Sequence, residues 1–165
     1  MELWDAYYAD GSLAGCDLVR GEPIPGGLYH LVSEVLVRHA DGSFLLMQRD
    51  RNKIGYPGLF EASAGGSALK GESAYGAALR ELREETGVAA AELTPIYSCT
   101  NGKDTIYHGY LCVTDCDKSS VTLQEGETIS HRWLDADSFL TFVNTADYVP
   151  IHIDRLESYL NTLRA

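Results

Sequence analysis

At 165 residues, with 45% hydrophobic and 22% charged content, the chain has the length of a single domain (residues 1–165) and the composition of an ordinary globular protein, which excludes disordered and fibrous classes. Its longest apolar runs, such as Val35 to Val37 and Phe44 to Met47, fall far short of the roughly 20 residues that cross a bilayer, so no membrane partner is expected. A formal net charge of −11 argues against a nucleic-acid polymer as the main partner, and an acidic protein handling an acidic small molecule needs a positive mediator, for which a divalent metal is the natural choice.

In chain order, Trp4 to Arg20 reads as two short strands around the turn Asp10-Gly11-Ser12, and Gly21 to Gly27 breaks regular structure, so residues 1–27 form an N-terminal hairpin and loop. The hairpin is a candidate homodimer contact. Met1 to Asp5 lacks the basic start and long apolar run of a secretory leader, so a cytoplasmic location is expected. A buried strand is predicted over Tyr29 to Arg38, turning at Asp41-Gly42 into a partner from Phe44 to Arg49. A short strand over Phe60 to Ala64 follows the loop Tyr56-Pro57-Gly58.

The clearest helix spans Ser73 to Thr86, with Ser73 as N-cap and Gly87 where a helix end favours positive φ. Tyr75, Ala78, Leu79 and Leu82 form its expected buried stripe. Strands are predicted over Pro95 to Thr100, Thr105 to Val113 and Ile129 to Leu134. A final helix from Tyr148 to Leu163 directs Ile151, Leu156, Tyr159, Leu160 and Leu163 at the core. This order suggests an α/β fold, a mixed sheet with helices on both sides. Cys16, Cys99, Cys112 and Cys116 lack the close pairing of a zinc site and are expected to be free, mostly buried thiols.

The most specific pattern runs from Gly66 to Val88: Gly66, five residues, Glu72, seven residues, then Arg80-Glu81-Leu82-Arg83-Glu84-Glu85-Thr86-Gly87-Val88. Glu81, Glu84 and Glu85 stand at i, i+3 and i+4, so three carboxylates share one helix face. Like charges at that spacing cost roughly 0.2–0.5 kcal/mol per pair unless something positive lies between them. An oxygen-only set suits Mg²⁺ or Mn²⁺. The plainer alternative is a solvated acidic face paired with Arg80 and Arg83.

Elsewhere, Arg49, Arg51 and Lys53 cluster ahead of Tyr56-Pro57-Gly58 and could clamp a diphosphate or simply be solvated. His30, Glu34 and Arg38 share a strand face by period-two spacing. Glu34, inside the run Leu31-Val32-Ser33-Glu34-Val35-Leu36, requires a partner or a cleft, so it is either half of a structural ion pair or, with His30, a substrate contact.

The Gly66 to Val88 pattern resembles the Nudix box at every specified position. The resemblance implies a Nudix-type α/β/α sandwich and a metal-dependent hydrolase that cuts a diphosphate bond in a small, nucleoside-diphosphate-linked or similar phosphorylated substrate. It implies metal ligation by Glu81, Glu84 and Glu85, with Glu81 as ligand or general base. It further implies the Gly65 carbonyl as a ligand, a Glu72–Arg80 brace, and one more acidic residue from an outer loop, for which Glu125 and Glu127 are candidates and Glu127 is favoured. Tyr29 to Val32, Gln48-Arg49 to Phe60 and Ser63-Ala64-Gly65-Gly66 are similar to the branch that includes isopentenyl-diphosphate isomerase. That isomerase uses a cysteine and a metal-binding histidine where this chain has Gly65 and Ser67, and close hydrolase relatives also tend to carry a histidine at position 67. A hydrolase is the expectation; an isomerase, or a non-catalytic nucleotide-sensing module, is the alternative.

Overall fold

A computed structural model describes residues 1–165. The N-terminal strands β1 (Leu3–Tyr7) and β2 (Leu13–Val19) pair as an antiparallel two-stranded sheet, joined by a turn in which Asp10 Oδ1 accepts from the Ser12 N–H at 2.9 Å. Trp4, Ala6 and Leu18 form a small core of their own there.

The main sheet contains β3 (His30–His39), β4 (Phe44–Arg49), β5 (Phe60–Ala62), β6 (Ala64–Ser67), β7 (Thr94–Thr100), β8 (Thr105–Thr114) and β9 (Thr128–Leu134). β3 runs parallel to β8 over its whole length, and every other pairing is antiparallel. The sheet is therefore mixed. Its central strands are buried on both faces. Val35, Val37, Leu45 and Met47 point to one side, where Ala78 and Leu82 of α1 (Ala74–Thr86) cover them. Leu36, Phe44 and Leu46 point to the other, against Phe139 of α2 (Ala136–Phe142) and Leu156 and Leu160 of α3 (Ile151–Arg164). The result is an α/β/α sandwich, with alternate residues of one strand serving opposite layers.

The single strand expected over Phe60 to Ala64 is two strands. β5 pairs with β4, then the chain crosses and β6 pairs with β3. Ser63 stands at the crossing, 1% exposed. Its hydroxyl donates to the Leu45 carbonyl and accepts the Val37 N–H, each at 2.8 Å. One side chain thus satisfies backbone groups on both strands that the splayed β3 and β4 cannot offer each other. This switch delivers Gly65 and Gly66 to the end of α1.

Three further expectations need correction. On α1 the buried face is Ala77, Ala78, Leu82, Glu85 and Thr86, because β6 and β3 lie against that side. Tyr75 is exposed and instead receives the Leu93 N–H on its hydroxyl at 3.0 Å. The last helix starts at Ile151, itself exposed, because residues before Pro150 pair with β5: the Phe60 N–H donates to the Asp147 carbonyl at 2.7 Å and the Val149 N–H to the Phe60 carbonyl at 2.9 Å. All four cysteines are free, but Cys112 alone is buried and Cys16 is exposed. α2 was not foreseen. No helix is long and apolar enough to cross a membrane.

Candidate active site

The site is built where β6 meets α1. Ser73 caps the helix, its hydroxyl accepting from the Gly76 N–H at 3.0 Å, and the Gly87 N–H closes it on the Arg83 carbonyl. This fixes the rotation of the three carboxylates. Glu85 faces inward and is 7% exposed; Glu81 is half-buried, and Glu84 lies at the rim.

Arg80 ties the box together. Its Nε and Nη2 meet the two oxygens of Glu72, each at 2.9 Å, and Nη2 also donates to the Ser67 carbonyl at 3.1 Å. Nη1 donates to Glu81 Oε1 at 2.6 Å and to Glu84 Oε2 at 3.2 Å. Glu72 in turn accepts the Leu69 N–H at 3.0 Å. One guanidinium therefore joins the helix to the loop after β6 in a bidentate, charge-assisted geometry, and the Glu72 carboxyl is held below its usual range by the hydrogen bond from Arg80. Burial pushes the Glu81 carboxyl up, against the pull of Arg80. It pushes Glu85 well up, and Glu61, Glu81 and Glu127 nearby add to the rise.

The two glycines of β6 allow the close packing. A Cβ on Gly66 would come within 2.3 Å of Glu81 Oε1, and one on Gly65 within 3.0 Å of the Ser33 carbonyl oxygen. The Gly65 N–H donates to Glu85 Oε2 at 2.9 Å.

These groups line a polar cleft of about 340 Å³, which also takes in Lys53, Gln124 and Glu127. Lys53 forms an ion pair with Glu127. Glu125 is exposed and lies outside the cleft. Of the basic loop, Lys53 reaches the cleft and Arg51 is exposed away from it. Arg49 turns to a second cavity, its Nη1 at 2.9 Å from both oxygens of Glu61. Glu34 also lines that cavity, and it has its partner: Arg155 Nε and Nη2 at 2.9 and 2.6 Å, with the Tyr97 hydroxyl and, at 3.4 Å, His152 Nε2. His30 is not among the lining residues of either cavity. Its ring stacks on Trp4 with centroids 4.6 Å apart, and Nδ1 lies 3.0 Å from the Asp104 carbonyl oxygen.

No three His, Cys, Asp or Glu side chains stand as a ready ion cage, since Arg80 draws Glu81 and Glu84 while the Gly65 N–H holds Glu85. The donor set nevertheless fits a hard divalent ion. It is all oxygen, and a single guanidinium, Arg80, is shared among Glu72, Glu81 and Glu84.

Several residues of these cavities gave no sequence signal. Arg20 and Glu2, from the N-terminal hairpin, line the polar cleft. Tyr97, His152 and Arg155 gather around Glu34 from β7 and α3; the only hint was that a carboxylate in an apolar strand requires a partner.

The NUDIX domain model matches residues 28–153. The chain belongs to the Nudix hydrolase family. An uncharacterised Nudix hydrolase of Listeria monocytogenes is 30% identical over 154 residues, covering 91% of this chain and 89% of that protein. An isopentenyl-diphosphate Delta-isomerase of Citrobacter koseri is 26% identical over 127 residues, 73% of this chain and 70% of the isomerase. Among solved structures, DR0079 from Deinococcus radiodurans superposes with a TM-score of 0.74 at 19% identity, covering 99% of this chain and 98% of that one. The likeness to that structure is one of fold. This Nudix hydrolase thus has a matched domain that begins after the hairpin, yet its polar cleft takes two side chains from the hairpin.

Proposed function

We propose that the protein is a Mg²⁺- or Mn²⁺-dependent pyrophosphohydrolase that cleaves a diphosphate bond in a small, nucleoside-diphosphate-linked or similar metabolite. One observation carries this reading: Glu81, Glu84, Glu85 and Glu127 face a single cleft that also holds Lys53. Glu81, Glu84, Glu85 and Glu127, with the Gly65 carbonyl, would hold the ion. Once bound, a divalent ion neutralises phosphate charge and lowers the pKa of an attacking water. Glu81, whose proton affinity burial raises, is the group suited to take up that water's proton. Lys53 can exchange Glu127 for a phosphate oxygen, and Arg80 holds Glu81 in position through Glu72.

The isomerase similarity makes proton transfer on an allylic diphosphate the second reading. Gly65 speaks against it. A side chain there would press on the Ser33 carbonyl and, at 3.2 Å, on Glu34 Cγ, and glycine itself has no proton to give.

The test is a panel of nucleoside diphosphate sugars, dinucleoside polyphosphates, nucleoside triphosphates and prenyl diphosphates with Mg²⁺, read by chromatography of the products. Hydrolysis of at least one substrate is expected, with no deuterium uptake from heavy water into isopentenyl diphosphate. Deuterium uptake without hydrolysis makes the protein an isomerase, and binding without turnover makes it a sensor.

A further inference from the structure

The loop from Ala68 to Ser73 joins β6 to α1 and carries Glu72, on which the Arg80 fork closes. Each of five consecutive N–H groups in this loop has a partner. Ala68 donates to the Leu31 carbonyl and Glu72 to the Leu69 carbonyl, both at 2.9 Å, and Leu69 donates to Glu72 Oε2 at 3.0 Å. These three bonds stay within residues 28–153, the matched domain. The other two leave it. The Lys70 N–H donates to the Leu3 carbonyl at 2.9 Å, and the Gly71 N–H donates to Asp5 Oδ2 at 2.7 Å.

Both acceptors belong to β1, which is held firmly beside the loop. Tyr7 and Tyr29 exchange both backbone bonds at 2.9 Å, just ahead of β3. The Tyr7 side chain packs on Leu31, Ala68 and Ala77, and Trp4 stacks on His30. Gly71 has a φ of +79°, and nothing lies within 4 Å of where its Cβ would stand. Glycine there serves the left-handed turn, not close packing. The bond from Gly71 to a carboxylate is charge-assisted. A third link, Lys70 Nζ to Asp17 Oδ2 at 2.6 Å, joins two half-exposed side chains, and such a pair contributes little.

We propose that Asp5 is a positioning residue of the hydrolytic site. By holding the Gly71 N–H it sets the backbone of Glu72; Glu72 sets the Arg80 fork, and Arg80 aims Glu81 and Glu84 at the cleft. The hairpin is thereby a working part of the site, although it lies outside the matched domain. The last step of this chain rests on the metal-dependent reading of the cleft; the anchoring of the loop does not.

The experiment compares Asp5→Ala, Asp5→Asn and Asp17→Ala with the wild type by two measurements. The first is hydrogen–deuterium exchange in EDTA, followed by mass spectrometry of peptides covering residues 68–73. The second is Mn²⁺ affinity, from titration with the metal alone read by electron paramagnetic resonance. Asp5→Ala should exchange these loop amides at least about threefold faster and bind Mn²⁺ at least about threefold more weakly, with exchange in β3 and β8 unchanged. Asp5→Asn keeps an oxygen acceptor at the same reach and should recover most of both losses. Asp17→Ala removes a charge from the same hairpin but neither backbone anchor, and should match the wild type. Should Asp5→Ala melt early, Asp5→Ser, one atom shorter than Asp, replaces it. Unchanged loop exchange, faster exchange spread equally over β3 and β8, faster loop exchange with unaltered Mn²⁺ affinity, or an Asp17→Ala as impaired as Asp5→Ala overturns the proposal and leaves the cleft reading intact. Failure of the wild type to bind Mn²⁺ overturns both.

Discussion

The Gly65 N–H and the Glu85 carboxyl group are joined at 2.9 Å, a bond that links the strand crossing to the helix and holds an ionisable group inside the protein. That burial has a measurable consequence. The Glu85 pKa is raised well above the reference 4.5, so between 4.5 and its folded value the folded state binds more protons than the unfolded one. The contribution of Glu85 to stability must then fall as pH rises through that window, whereas His30, His108 and His152, whose rings burial pushes down, contribute in the opposite sense.

In EDTA the melting temperature of the wild type should therefore lose ground to that of Glu85→Gln as pH rises from mildly acidic to neutral. Mg²⁺ competes for the ionised form, so it should raise the wild-type melting temperature more at neutral than at acidic pH. Glu85→Gln should weaken that rise. An equal Mg²⁺ response in the variant would remove Glu85 from the ion's ligands.

Arg80 bonds Glu72, Glu81, Glu84 and the Ser67 carbonyl at once. Arg80→Ala should lower kcat/KM by about 10–100-fold, the range seen when groups that orient metal ligands are lost, while far-ultraviolet circular dichroism stays native. Arg80→Lys should recover little, since an ammonium cannot reproduce the fork on Glu72. Loss of the fold itself would make Arg80 a scaffold residue.

For Glu81→Gln the expected loss is at least about a hundredfold in kcat, the lower range for a positioned general base. Single-turnover kinetics with Mg²⁺ check it. Should the rate survive, the base must be sought elsewhere in the cleft, with Glu127 first.

Ser63→Ala leaves the Val37 N–H and the Leu45 carbonyl without their bridge. At about 1–3 kcal/mol for a buried unsatisfied group, urea unfolding should reveal a clear loss of stability with the slope unchanged. A cost near zero would mean that β3 and β4 close onto each other without the hydroxyl.

What the sequence disclosed was local. The box and α1 were legible because cap, periodicity and carboxylate spacing all lie within a few turns of one helix. The burial of α1 was less so, since which side faces inward depends on where β6 lands, and the crossing at Ser63 is set by two strands distant in sequence. α2 has seven residues, too few for a periodic signal, and is anchored by Phe139 stacking on Phe44 at 4.6 Å. Glu34 announced its need for a partner, but Arg155 is 121 residues away.

The strand crossing at Ser63 also divides the binding surface by allegiance. Glu61 rides on β5, which is zipped to β4 and to residues 147–149 at the threshold of α3, whereas Gly65 and Gly66 ride on β6, which is fastened to β3 and abuts α1. Substitutions in α3 can therefore reshape the cavity around Glu34 and Glu61 while the box keeps its register on β3 and α1. For an engineer, or for natural variation, the two chambers are separately adjustable.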